Sequence, residues 1–98
     1  MSVAGTYQVQ VRTPKGVQKG KMTLIVEGDL LKGTLEYSAG IAEITKGIVK
    51  GNGVEFITNI KTPFGRLNAS VTGAVQGNTF SGVAKLPIGS IQLNGIKL

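Results

Sequence analysis

A chain of 98 residues, 41% apolar and 16% charged, has room for one folded domain around one thin core. It contains no cysteine and no histidine. That excludes disulfides, thiolate catalysis and a histidine general base, and it leaves a structural zinc site without its usual ligands. The net charge of +6 attracts anionic partners at low salt, although it also serves solubility alone.

Apolar residues recur with a period of two, the mark of strands with one buried face. In residues 6–13, Tyr7, Val9 and Val11 share one face while Gln8, Gln10 and Arg12 share the other. In 20–27, Met22, Leu24 and Val26 oppose Lys21, Thr23 and Glu27. Leu31, Gly33, Leu35 and Tyr37 oppose Lys32, Thr34 and Glu36 in the third strand. The fourth, 41–50, is less regular, with Ala42, Ile44 and Ile48 inward and Val49 outward. Lys46 is its awkward member. Strict alternation from Ile44 buries it, whereas Gly47 suits a bulge that resets the alternation. In the fifth, Val54, Phe56, Thr58 and Ile60 oppose Glu55, Asn59 and Lys61. Leu67, Ala69, Val71 and Val75 mark the sixth strand, Phe80, Ala84 and Leu86 the seventh, and Ile91 and Leu93 the eighth.

The connections are short: Thr13-Pro14-Lys15-Gly16, Glu27-Gly28-Asp29, Ser38-Ala39-Gly40, Gly51-Asn52-Gly53, Thr62-Pro63-Phe64-Gly65, Gln76-Gly77-Asn78 and Pro87-Ile88-Gly89. Proline pre-sets a turn, glycine accepts positive φ, and Asn52-Gly53 is a hairpin signal. None of these connections can carry a parallel crossover. The fold expected is therefore all-β, an eight-stranded antiparallel up-and-down barrel forming a single domain over 1–98, with a β-sandwich as the alternative. A shift of 49 residues lays Thr13-Pro14-Lys15-Gly16 on Thr62-Pro63-Phe64-Gly65 and Tyr7 on Phe56. Two repeat halves, about 1–49 and 50–98, are expected.

A meander alternates its turns between two ends. The proline-containing turns and Ser38-Ala39-Gly40 fall at one end. Arg12, Lys15, Lys19, Lys61, Arg66 and Lys85 lie near it, against Glu36 and Glu43, so this end should be electropositive. Tyr7, Tyr37, Phe56, Thr58, Met22 and Phe80 face the lumen and are the candidate ligand contacts. Either tyrosine hydroxyl could bond a ligand, or the rings could simply pack. Thr58 is expected to bond a neighbouring backbone group. Inward Gly33, Gly73, Gly82 and Gly95 either leave lumen space or let the barrel bend.

No catalytic set is assembled, which argues against an enzyme. Were there an activity, Lys46, Tyr7 and Tyr37 would carry it. The five carboxylates are scattered, so no metal site and no cofactor is expected. Ile25, Ile57, Val83, Val49 and Ile96 face outward. A contiguous patch of them would favour a homodimer. Few aromatics are left as stacking platforms, which disfavours nucleic acid. With no signal-like segment and no long apolar run, a cytoplasmic location away from membrane is expected.

The motifs Thr-Pro-x-Gly (13–16 and 62–65), Gly-Asp-x-Leu-x-Gly (28–33) and Gly-Asn-x-Phe-Ser-Gly (77–82) resemble those of small bacterial β-barrel domains of unassigned function. In outline the meander is similar to streptavidin and the lipocalin-like barrels, and that resemblance implies a small-molecule lumen. Streptavidin surrounds its ligand with tryptophans and this chain has none, so biotin binding does not carry over. The expected function is a non-catalytic barrel binding an apolar or anionic small molecule in the lumen near the basic proline end. The alternatives are an oligomerising assembly module and a histidine-free isomerase or cyclase.

Overall fold

The computed structural model describes residues 3–13, 16–37, 40–62, 65–87 and 89–98. The tips of the expected proline-end turns, Pro14-Lys15, Ser38-Ala39, Pro63-Phe64 and Ile88, lie outside the described residues.

Eight strands follow in order: β1 (Gly5–Thr13), β2 (Gly16–Glu27), β3 (Leu30–Tyr37), β4 (Gly40–Lys50), β5 (Gly53–Thr62), β6 (Gly65–Gln76), β7 (Thr79–Leu86) and β8 (Gly89–Lys97). Each pairs antiparallel with the next, and β1 pairs with β8, closing an up-and-down barrel. Closure follows from an even number of twisted strands whose first and last run antiparallel, and it leaves the sheet without a free edge strand. The inward faces are those of the period-two pattern: Tyr7, Val9, Met22, Leu24, Leu31, Ile44, Val54, Phe56, Val71, Phe80 and Leu93 form one buried cluster.

Three connections at one end are two-residue loops, Gly28–Asp29, Gly51–Asn52 and Gly77–Asn78, flanked by the pairs Glu27↔Leu30, Lys50↔Gly53 and Gln76↔Thr79. In each the first residue is glycine at φ near +60° (61°, 59° and 61°), the arrangement of a type II′ hairpin turn. The loop at 51–52 thus puts glycine first, so Asn52-Gly53 is not the turn dipeptide; Gly53 already belongs to β5. This is the glycine end. The pairs Thr13↔Gly16, Tyr37↔Gly40, Thr62↔Gly65 and Leu86↔Gly89 close the four hairpins at the opposite, proline end.

One irregularity interrupts the ladders. The register of β4 slips by one residue against β3 and against β5, between Ile44–Thr45 and Gly47–Ile48. Lys46 is the extra residue, at φ 51°. The Thr45 hydroxyl donates to the Ile57 carbonyl at 3.0 Å beside it. The bulge resets the faces. Gly47 stands opposite buried Leu31 and Val49 opposite buried Val54. Ile48 pairs with exposed Leu30 and with Glu55 on the outer wall. The expected assignment of Ile48 inward and Val49 outward is therefore reversed, because one inserted residue exchanges the faces of everything after it.

Candidate functional site

The two halves of the lumen carry different side chains. Toward the glycine end, Tyr7, Met22, Phe56 and Phe80 are buried. The Tyr7 and Phe80 rings meet at 6.2 Å between centroids, tilted by 59°, a geometry that aromatic quadrupoles favour. Tyr7 stands opposite Met22. The inward glycines here serve this packing. A Cβ at Gly73 would lie 2.7 Å from the Phe80 ring tip, and one at Gly95 2.8 Å from a Val9 methyl. Space is given to Phe80 and Val9, not to a vacancy. Val3 covers this end from below, buried, and its carbonyl accepts a 2.7 Å hydrogen bond from the Tyr7 hydroxyl. Burial pushes the Tyr7 hydroxyl above its ordinary value of 10.0, so at neutral pH it is a protonated donor already engaged.

Toward the proline end the buried lumen residues are mostly small, with Leu93, opposite Val11, the exception. Ala42, Thr58, Ala69 and Ala84 are buried. Val11, Leu35, Ile60 and Leu86 are partly buried where they pack on the core, as Val26 and Val49 are at the glycine end. Thr58 and Tyr37 sit at a seam. Pairing of β4 with β5 runs from Lys50↔Gly53 to Ile44↔Thr58. Past that point two side chains bond the backbone. The Thr58 hydroxyl donates to the Glu43 carbonyl at 3.0 Å, the backbone role expected for it. The Lys61 amide donates to the Tyr37 hydroxyl at 2.8 Å, so Tyr37, on β3, reaches across to β5. Among the described residues every buried polar side-chain atom has a partner.

Of the six lumen candidates, Tyr7, Met22, Phe56 and Phe80 therefore belong to the packed half, while Tyr37 and Thr58 border the other. Sequence reasoning placed Ala42, Ala69, Ala84 and Val11 in the alternating pattern but did not count them among the candidate ligand contacts. Their small size at inward positions was the available signal.

Lys46 is exposed, so it lacks the burial a lysine nucleophile would require. Ile25, Ile57 and Val83 stand on strands that do not adjoin. Their cross-strand neighbours are Lys32, Thr45 and Ser70, and Thr72 and Gln92, in that order. They do not make one patch. Among the described residues, open depressions lie on the outer wall. One of about 460 Å³ lies beside Gln8, Lys21 and Glu36; one of about 450 Å³ lies beside Lys32, Thr45 and Lys46 at the bulge. Among the described residues no three carboxylates gather as metal ligands would. No helix is long and apolar enough to cross a membrane.

Among the described cations, Arg12, Lys19, Lys21, Lys61, Arg66 and Lys85 occupy the proline-end parts of β1, β2, β5, β6 and β7, against Glu36 and Glu43. Lys15, also expected there, lies outside the described residues. No protein-family model matches the chain, and no curated protein matches it.

Proposed function

We propose that this barrel is a non-catalytic carrier or sensor that takes a small apolar or amphipathic molecule into the proline-end half of its lumen. One observation carries the reading. Small Ala42, Ala69 and Ala84, under a partly buried rim of Val11, Leu35, Ile60 and Leu86, provide apolar lining without the aromatic filling of the other half. Such sites are mostly apolar, with a few convergent polar groups; here these are Tyr37 and Thr58. The rim cations steer an anionic ligand toward this end. The outer wall bears Lys21, Lys32 and Glu55 beside exposed Ile25, Leu30 and Val83, around an apolar interior; the charges support a domain surrounded by water.

The probe is neutral 2-naphthol, followed by methyl NMR shifts and thermal melting. The expected result is one saturable event that moves the methyls of Val11, Leu35, Ile60 and Leu86 and raises Tm. Ala84→Phe, checked as folded by circular dichroism, should abolish it. Shifts spread over the outer surface, or binding undiminished in both Ala84→Phe and Ala69→Phe, would overturn the reading.

A further inference from the structure

We propose that Lys61 and Arg66 form an oxyanion site on the outer wall of the β5–β6 hairpin, receiving the carboxylate or phosphate group of a small molecule. The two residues stand directly opposite each other in the ladder. Both are exposed on the same face. Like charges so placed repel and destabilise a strand pair. The guanidinium is also held in place. Arg66 Nη1 donates to Asn59 Oδ1 at 3.1 Å, and Asn59 Nδ2 donates to Asn68 Oδ1 at 3.0 Å. A neutral amide thus orients the arginine, and among the described residues no carboxylate pairs with it. A planar guanidinium beside an ammonium suits an oxyanion that takes parallel N–H donors from one and a point charge from the other.

Protection of a projecting hairpin is the competing explanation. Pairing of β6 with β7 begins at Ser70↔Lys85 and that of β5 with β4 at Thr58↔Ile44, so the tip extends past its neighbours, and cations blunt such edges. The β1–β2 hairpin projects in the same way, with β2–β3 pairing beginning at Lys21↔Glu36. Its described cations do not face each other directly: Arg12 stands opposite Val17 and Lys19 opposite Gln10, a diagonal pair. Among the described residues, edge protection is met there without directly opposed charges and without an amide clamp. The facing pair on β5–β6 therefore needs a further reason, and an anion between the two cations supplies it. Asn59 is a positioning residue in this arrangement.

The site is independent of the lumen reading, since inorganic anions test one and a neutral aromatic tests the other. Sodium phosphate and sodium acetate are titrated separately into the full chain at constant ionic strength, with sodium chloride as the control. The readout is the backbone amides of Lys61 and Arg66 and the Arg66 Nε–H. Saturable shifts with phosphate or acetate are expected, about tenfold weaker in Arg66→Gln and also weakened in Arg66→Lys, which keeps charge and loses the fork. Without added anion, Lys61→Gln should melt higher than the parent, and phosphate should close the gap by stabilising the parent alone. Stronger response to phosphate than to acetate assigns a phosphoryl ligand, and the reverse assigns a carboxylate. Equal response to chloride, or saturation that survives Arg66→Gln, overturns the site.

Discussion

At the glycine end the ladders run on through the turns. Asp29, Asn52 and Asn78, the second residues of the three loops, accept hydrogen bonds from Val49, Val75 and Lys97, and Leu98 donates to Thr6. At the proline end the four seams between hairpins stop early: at Val11↔Leu93, Lys21↔Glu36, Ile44↔Thr58 and Ser70↔Lys85. The hairpin tips continue past these points as separate ribbons, which accounts for a molecule 36 Å long and about 22 Å across (23 × 21 Å). Core composition follows the same division, with the buried aromatics where the seams are zipped and Ala42, Ala69, Ala84 and Leu93 nearer where they part. Regions with fewer ladder bonds and less buried apolar surface open at lower free energy. The barrel thus combines a zipped floor filled by aromatic rings with an opposite end whose seams stop early.

The largest expected effect breaks the floor. Phe80→Ala removes a fully buried ring that Tyr7 packs against and that Gly73 and Gly82 accommodate. It should cost about 3–5 kcal/mol in urea denaturation, enough to lower Tm by roughly 12 °C or more in a domain of this size. A loss under about 1 kcal/mol would mean that the floor is loosely packed and the contrast between the ends is false.

A smaller effect sharpens the comparison by adding atoms to each half. Gly73→Ala puts a methyl 2.7–2.8 Å from the Phe80 ring and the Ser81 carbonyl, and should cost about 1–3 kcal/mol as overpacking. Ala84→Leu adds more volume in the proline half, yet if the lumen there holds space for a ligand, as proposed, it should change stability by less than the roughly 1–3 kcal/mol that overpacking costs. Equal penalties at the two sites would remove the distinction on which the proposed lumen site depends.

The seam itself is tested by Tyr37→Phe. The Lys61 amide loses its acceptor, at a cost of about 0.5–1.5 kcal/mol. Hydrogen exchange should accelerate at Lys61, while Val75 and Lys97, bonded to the turns at the glycine end, keep their protection. If all three amides accelerate together, the ends open as one unit.

Much of this was legible in the sequence, for a physical reason. Alternation such as Tyr7-Val9-Val11 against Gln8-Gln10-Arg12 reports the pleat directly, and short turns leave a meander, so strands and order could be read, while closure was expected over a sandwich of the same strands. What depends on register could not. Gly73 and Gly82 look like vacant lumen positions until pairing brings both beneath the Phe80 ring. Thr58 was legible as a buried hydroxyl bonded to backbone, but its partner, the Glu43 carbonyl, is set by where the β4–β5 ladder stops. Ile25, Ile57 and Val83 share outward parity, which says nothing about adjacency around a cylinder. Parity also failed at Ile48 and Val49, because it cannot reveal on which residue a bulge falls.

That bulge supplies the smallest test. Lys46 lies on the part of β4 that leads to the glycine end, where the other described left-handed residues are glycines, and it alone among described non-glycine residues has positive φ. A lysine there bears a backbone cost of about 1–2 kcal/mol, and glycine would remove it while adding roughly 0.5–1 kcal/mol of unfolded-chain entropy. Lys46→Gly should therefore stabilise the protein by about 0.5 kcal/mol, whereas Lys46→Ala, which keeps the Cβ, should gain nothing. Measured against the costs at Phe80 and Gly73, a gain of this sign identifies position 46 as the one place in the zipped half where local geometry and residue type disagree. A loss on Lys46→Gly with no loss on Lys46→Ala would show that the backbone at the bulge is not left-handed, and the reassigned faces of Ile48 and Val49 would then need another cause.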